Sequence, residues 1–259
     1  MKMRPAFLLL AAARLLPAQV LPEGNQTVAS FSQARRLVLE IARDNPRTFY
    51  CDCVFKDKKI DATSCGYEPA RDSVRSRRVE IEHVVPAENF GRSFVEWRKG
   101  HDECIRPGGR PYKGRRCAQK INATYRLMES DLYNLYPEIG ELNADRSNFR
   151  YGIVEGEERR YGSCDFEIED RTAEPREKIR GDIARIYFYM DSTYPGRGIL
   201  GKKSRQLFEA WDQADPVDAQ ECARARRVEQ VQGNANPFTK APCTAAGLYG
   251  NTNVDNGSQ

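Results

Sequence analysis

Eight cysteines constrain this 259-residue chain more than any other feature of its sequence. All eight follow a segment typical of a secretory signal, with Lys2 and Arg4, an apolar run over Ala6–Ala13, and the small residue Ala18. The run is about half of the ~20 residues that a membrane span needs. Residues 1–18 are therefore predicted to be a signal peptide, and the mature chain to be periplasmic or extracellular, with no membrane segment. An even number of cysteines behind such a signal predicts four disulfides.

A zinc site is the alternative use of these cysteines. Cys51-Asp52-Cys53 is one residue short of a Cys-x-x-Cys motif, and the two histidines cannot supply a histidine-rich site. Disulfides are therefore favoured over zinc. Proximity along the chain favours the pairs Cys53–Cys65 and Cys104–Cys117, although many other pairings are open.

Composition indicates a soluble globular protein. The chain is 40% hydrophobic and 30% charged, with a mean hydropathy of −0.70, which argues against a membrane protein and against a disordered chain. We expect residues 19–244 to form a single domain. Residues 245–259 are rich in Gly, Asn and Ser and are predicted to be a flexible tail.

Periodicity predicts helices on both sides of a short stretch of strands. Apolar residues recur at helical spacing over residues 30–44 and 176–190, a third helix surrounds residues 207–211, and a fourth runs from Pro216 to Arg227. Apolar stripes of this kind usually face a hydrophobic core.

The segment between the first two predicted helices lacks helical periodicity and contains strand-like runs. Residues 79–86 form a β-branched run ended by proline, and residues 131–137 form a second strand-like run. A helix is expected over residues 140–149, and the Gly/Pro-rich stretch within 91–126 predicts a long loop. The fold class is therefore α+β.

The basic residues are concentrated in one segment. Without Lys2, Arg4 and Arg14 the mature chain has 38 basic and 37 acidic residues, so it is nearly neutral. Residues 71–126 alone hold fourteen Lys or Arg and seven Asp or Glu, a local excess of +7. This segregation creates a positive surface that attracts a polyanion. Charge alone is compatible with a nucleic acid, a heparin-like polymer or a solvated surface without a partner.

His83 is the candidate base for chemistry on such a polyanion. Neutral histidine can deprotonate water, and a hard divalent cation held by oxygen ligands can stabilise charge that develops on phosphorus. Glu82 and Asn143 supply such oxygens. Adjacent residues on a regular strand point to opposite faces, so Glu82 and His83 share a site only if the strand bends or bulges. A buried structural histidine is the alternative interpretation.

Three blocks with matched order and spacing give the chain a close resemblance to a known family. They are RVEIEHVVPA (78–87), MESDLYNL (128–135) and GELNADRSNF (140–149). On these blocks the chain resembles the bacterial periplasmic and extracellular endonuclease I family, most densely over residues 50–150. The resemblance implies a ββα-metal (His-Me finger) core surrounded by helices and held by disulfides. It also implies a Mg²⁺-dependent enzyme, with Mn²⁺ or Ca²⁺ as substitutes, that cuts DNA and often RNA and leaves 5′-phosphates.

The same resemblance assigns roles to residues by position. The implied site comprises the general base His83, the metal ligands Glu82 and Asn143, Asn134 orienting the histidine, and a phosphate-contacting arginine at Arg115 or Arg116. We expect the protein to act as a monomer. The alternative is an exported, disulfide-rich module that binds nucleic acid or another polyanion without catalysis.

Overall fold

The computed structural model describes residues 24–156 and 159–250 of the chain. Within these residues the secondary structure is mixed, which confirms the α+β class. The helices are α1 (Phe31–Ile41), α2 (Ala87–Gly91), α3 (Val95–Arg98), α4 (Arg115–Ile121), α5 (Ala123–Glu129), α6 (Gly140–Arg146), α7 (Arg180–Thr193), α8 (Lys202–Ala214), α9 (Ala219–Gln232) and α10 (Pro237–Ala245). The strands are β1 (Phe55–Lys56), β2 (Lys59–Ile60), β3 (Val79–His83), β4 (Leu135–Ile139), β5 (Arg150–Tyr151), β6 (Phe166–Glu169) and β7 (Thr172–Pro175).

The antiparallel pair β3 and β4, followed at once by α6, lies at the centre of the fold. The two strands pair in regular register from Val79 opposite Ile139 to His83 opposite Leu135. All five residues of β4 are buried, because α1 packs against this strand. The predicted strand over 131–137 starts late, since Asp131 accepts the Tyr133 N–H and caps a turn of 3-10 helix before β4.

Helix α1 begins where the sequence indicates. The Ser30 hydroxyl accepts the Gln33 N–H at 3.2 Å, an N-cap bond, and Ala34, Val38 and Ile41 form its buried stripe. This stripe packs against β4 and α9. The first helix is therefore confirmed, ending three residues earlier than predicted.

The C-terminal helices form the other half of the molecule. Helix α7 is buried along most of its length between α8 and α10. Helix α9 starts at Ala219 instead of Pro216, because the Asp218 carboxylate accepts the N–H groups of Gln220 and Glu221. Helix α10 was not predicted, although Asn236 caps it and Pro237 is its first residue.

The long loop predicted over 91–126 is confirmed only in part. Helices α3 and α4 and the first part of α5 interrupt this segment, and the Asn122 side chain caps α5 by accepting the Tyr125 N–H. Residues 99–114, which include the Gly/Pro-rich stretch, remain irregular and are closed by a bridge between Ile105 and Pro111. Short helices escaped the periodicity analysis because each has about two turns or fewer.

All eight cysteines form disulfides, so the prediction of four is confirmed and the zinc alternative is wrong. Cys53–Cys65 and Cys104–Cys117 pair as proximity suggested. Cys51–Cys164 and Cys222–Cys243 complete the set.

The two ends of the chain are described in part. Residues 1–18 and 251–259 lie outside the described residues, and with them the signal peptide and most of the predicted tail. The first part of that tail lies against α9, where the Tyr249 hydroxyl donates to Glu229 at 2.8 Å. In the described part of the chain, no helix combines the length and apolar character that crossing a membrane requires.

Candidate active site

A cleft of about 730 Å³ crosses β3 and is bordered by α1, α4 and α6. His83, Glu82, Asn143 and Arg115 all line it, so four of the six residues proposed from the sequence meet in one place. Its border is rich in cations, namely Arg35, Lys58, Arg75 and Arg78. Arg75 and Arg78 belong to the basic segment over residues 71–126, whereas Arg35 and Lys58 come from outside it, and the fold brings all four to one opening.

His83 is buried at the end of β3, with 7% of its surface exposed. Its Nε2 lies 2.9 Å from the backbone carbonyl of Glu129. A carbonyl can only accept, so the neutral ring carries its hydrogen on Nε2 and keeps the lone pair of Nδ1 free. Burial, and then the positive charge of Arg115, lower the pKa of His83 to about 3. The ring is therefore neutral at physiological pH, the form that a general base requires.

Glu82 is buried beside a guanidinium. Its Oε1 accepts from the Tyr50 hydroxyl at 2.6 Å and from Arg146 Nη1 at 2.9 Å. Burial raises the pKa of Glu82, and the charge of Arg146 opposes that shift. Glu82 and His83 pair with Tyr136 and Leu135 in regular register, so β3 has no bulge at these two residues. Both residues line the cleft, together with the other three residues of β3.

Arg146 holds this end of the strand in place. It is fully buried, and its Nη1 and Nη2 donate to the carbonyls of His83 and Val84 at 2.8 and 2.6 Å. The Tyr151 ring lies against the guanidinium, 4.5 Å from centroid to Cζ. Sequence reasoning missed Arg146, whose one signal was its position on α6, three residues after Asn143.

Asn143 lies on α6, facing β3. Its Nδ2 donates to Glu80 Oε2 at 3.0 Å. Burial alone would raise the pKa of Glu80, but hydrogen bonds from Arg75 and Arg78 outweigh it and lower that pKa below its ordinary value. Glu80 was not proposed as a site residue from the sequence.

Arg115 enters the cleft, whereas Arg116 does not line it. Arg115 Nε donates to the Glu129 carboxylate, and its guanidinium lies over the Phe31 ring, 5.0 Å from the centroid. Its Nη2 is buried with no hydrogen-bond partner among the described residues. Arg116 is exposed and lies near the Tyr112 ring. Successive residues on a helix point about 100° apart, so only one of the pair faces the cleft.

Asn134 lies behind the site. Its Oδ1 accepts the Val85 N–H at 2.6 Å, and its Nδ2 donates to the Val85 carbonyl at 3.0 Å. These bonds fix the backbone two residues after His83, and neither touches the imidazole ring. The proposed orienting role would therefore pass through the backbone.

The cleft offers hard oxygen donors for a metal. Glu82 contributes a carboxylate and Asn143 an amide, both of which suit Mg²⁺ or Ca²⁺ better than Zn²⁺. Within residues 24–156 and 159–250, no group of three or more His, Cys, Asp or Glu side chains is arranged to hold a metal. Two protein oxygens fit Mg²⁺, which commonly keeps several waters and binds through few side chains plus substrate phosphate.

Residues 25–243 match the sequence profile of the family described as Endonuclease I. The chain therefore belongs to the endonuclease I family, as its three sequence blocks predicted. An extracellular deoxyribonuclease of Aeromonas hydrophila is 40% identical over 222 residues, covering 83% of this chain and 90% of that protein. A periplasmic deoxyribonuclease of the same species is 39% identical, with 84% and 88% covered. Endonuclease-1 of Buchnera aphidicola is 39% identical, with 84% and 83% covered.

These relatives also bear on location. Two of them are named for the extracellular space or the periplasm. The four disulfides are consistent with the same oxidising compartments. The prediction of an exported protein is confirmed.

Proposed function

We propose that this protein is an endonuclease that hydrolyses phosphodiester bonds in DNA, with His83 as general base and one divalent metal held by Glu82 and Asn143. The observation that carries this proposal is that one cleft holds a buried neutral imidazole, that of His83, and a buried guanidinium nitrogen of Arg115 that has no hydrogen-bond partner among the described residues. The first suits proton abstraction from water, and the second suits a phosphate oxygen. We further propose that β3, β4 and α6 are a ββα-metal core.

The proposed reaction is an in-line displacement. His83 Nδ1 takes a proton from water as the water oxygen attacks phosphorus, and the bond from phosphorus to the 3′ oxygen breaks. The departing 3′ oxygen takes a proton from solvent water, so the products are a 5′-phosphate and a 3′-hydroxyl. Arg115 stabilises the additional negative charge on the phosphate oxygens. When bound, the metal, Mg²⁺ in this proposal, supplies Lewis-acid stabilisation of the same charge.

Substrate choice follows from what the cleft contacts. Phosphates carry no base information, so a site that binds them through arginine and lysine cuts with little sequence preference. Arg35 and Lys58 line the cleft without an ion pair among the described residues, which leaves them available to flanking phosphates. We propose DNA as the main substrate, RNA as a second one, and a monomer as the active species.

Plasmid conversion tests the catalytic proposal. The oxidised mature chain and His83→Ala are incubated with supercoiled plasmid, with Mg²⁺ and with EDTA. We expect nicking and then degradation, abolished by EDTA and slowed on the order of 10²–10⁴-fold in the variant. Near-normal rates for a folded His83→Ala would contradict the assignment. Retarded but intact plasmid in all lanes would favour the non-catalytic binding module.

Arg115 and Arg116 provide a matched pair within that assay. Arg115→Gln should lower kcat/KM by about 10²–10³-fold, as expected for loss of one group that stabilises transition-state charge. Arg116→Gln removes the same charge one residue away and should change kcat/KM by less than about threefold, since exposed charges act weakly. Equal losses in the two variants would show that bulk charge, and not the cleft geometry, sets the rate.

A further inference from the structure

The Glu80 carboxylate, on β3, accepts hydrogen bonds from three side chains, those of Arg75, Arg78 and Asn143. Its Oε1 accepts from Arg75 Nε at 3.0 Å and from Arg78 Nε and Nη2 at 3.0 and 2.6 Å. Its Oε2 accepts from Arg75 Nη2 at 2.6 Å and from Asn143 Nδ2 at 3.0 Å. Two arginines therefore fix the carboxylate, and the carboxylate in turn holds the amide of Asn143.

The chemistry of this contact decides which way the amide points. An ionised carboxylate can only accept hydrogen bonds, so it must meet the NH₂ end of Asn143. The two ends of an amide are nearly equal in size, and a cation binds only the oxygen end. The bond to Glu80 thus leaves Oδ1 as the end of Asn143 that is available to a cation in the cleft.

A glycine at the start of α6 makes room for this arrangement. A Cβ atom at Gly140 would lie 2.7 Å from the Arg75 carbonyl oxygen and 2.9 Å from Glu80 Oε1, both closer than real Cβ contacts. Only glycine allows the Glu80 side chain to cross the first turn of α6 and reach Asn143, one turn further on.

We propose that Glu80 is a positioning residue that orients the Asn143 amide so that its oxygen, and not its NH₂ group, binds the divalent cation. The inference rests on the proposed function, in which Asn143 is a metal ligand. Outer hydrogen bonds that orient metal ligands are worth about 10–100-fold in metal affinity.

A double-mutant cycle tests this role by metal binding alone. Mn²⁺ binding to the oxidised mature protein is measured by electron paramagnetic resonance of free Mn²⁺, without DNA, for the native chain, Glu80→Gln, Asn143→Asp and the double variant. We expect Glu80→Gln to weaken Mn²⁺ binding at least tenfold, because a glutamine offers both a donor and an acceptor and no longer selects one amide end.

The Asn143→Asp background supplies the readout that a merely structural role would not move. Both ends of an aspartate are oxygens, so orientation no longer matters there. Glu80→Gln should then leave Mn²⁺ affinity unchanged or raise it by removing a neighbouring negative charge. An equal loss in both backgrounds would overturn the inference, because it would reflect charge or folding and not the direction of the amide.

Two further variants control for the loss of a negative charge and for the position of the Glu80 side chain. Glu88 lines the same cleft and binds Arg92 and Asn148 but not Asn143, so Glu88→Gln removes one charge and should change Mn²⁺ affinity less than twofold. Gly140→Ala should displace Glu80 and reproduce the loss. Circular dichroism checks that each variant is folded.

The outcomes separate this inference from the proposed function. Mn²⁺ binding that is lost in Glu82→Gln but retained within twofold in Glu80→Gln would overturn the role of Glu80 and leave the metal site standing. A native chain that binds no Mn²⁺ would overturn the metal site and the inference together.

Discussion

Among the described residues two arginines are completely buried, Arg146 and Arg185, and their binding partners differ. Arg185, on α7, is held by the carboxylates of Glu221, Asp212 and Asp182 and by the Asp215 carbonyl. Arg146, on α6, meets one carboxylate, Glu82, and otherwise backbone carbonyls, and its Nε has no partner among the described residues.

This difference distinguishes the buried ion-pair cluster around Arg185, which has a structural role, from the surroundings of Arg146 at the candidate active site. Every guanidinium nitrogen of Arg185 donates hydrogen bonds, and these bonds join α7, α8 and α9. Around Arg146 the bonds converge on the last residues of β3, where the candidate base and metal ligand lie. A buried unpaired polar atom costs free energy, so it persists where the geometry serves another purpose. We therefore expect the Arg185 region to govern stability and the Arg146 region to govern activity.

The largest expected effect concerns the disulfides of the two regions. Cys51–Cys164 spans 113 residues next to Tyr50, and Cys222–Cys243 spans 21 residues between α9 and α10. Loop-closure entropy assigns about 5 kcal/mol to the first and about 3 kcal/mol to the second. Double Cys→Ala variants in urea unfolding should follow that order, and only the first should also slow plasmid cleavage. A larger loss from the shorter loop would contradict the comparison.

Arg185→Met should destabilise the fold by about 3–5 kcal/mol, because it leaves buried carboxylates without their countercharge. The measurement is the free energy of unfolding in urea, at neutral pH. The folded fraction should cleave plasmid at the native rate, since the Arg185 carboxylates lie outside the cleft. Loss of activity in protein that is still folded would mean that the helical region is coupled to the site.

Arg146→Met should lower kcat by about 100-fold even where the protein remains folded, because displacement of reacting groups by about 1 Å costs a factor of that order. Arg146→Lys keeps the charge but not the branched set of bonds to His83 and Val84, and should recover only part of the rate. Rates in both variants are taken at a temperature well below their measured Tm. A native kcat in Arg146→Met would remove the distinction between the two arginines.

Per pH unit, the smallest effect is a difference in how the free energy of unfolding depends on pH. His83 has its pKa lowered from 6.5 to about 3, so between these values the unfolded chain binds a proton that the folded protein does not. Stability is then lost as pH falls from 6.5 towards 3, by at most about 1.4 kcal/mol per pH unit. His83→Asn should flatten this slope.

Asp182, in the Arg185 region, should act with the opposite sign. Burial, and then the charge of Glu221, raise its pKa well above the ordinary value, so the folded protein keeps a proton that the unfolded chain has lost. The stabilisation that Asp182 contributes to the folded protein is present at low pH and is lost as pH rises through the raised pKa. Asp182→Asn should remove that loss. Urea unfolding at a series of pH values checks both variants, and a shift of both slopes in the same direction would contradict the assignment.

The sequence by itself determined the family, the export, the four disulfides and the two residues Glu82 and His83 as a candidate pair. These properties depend on contiguous motifs or on composition, which a single chain displays directly. Longer helices were also predictable, because an apolar stripe of three turns has a clear period. Short helices such as α4 were not, since two turns carry too little pattern.

The tertiary structure alone decided which groups act on one another. Arg115 and Arg116 are neighbours with the same chemistry, and only the packing of α4 against Phe31 places the first in the cleft. Arg146 reaches Glu82 across 64 positions of sequence, and Asn143 reaches Glu80 across 63. Such partnerships arise from strand register and helix docking, because burial and the need to satisfy each polar group select them only once the chain has folded.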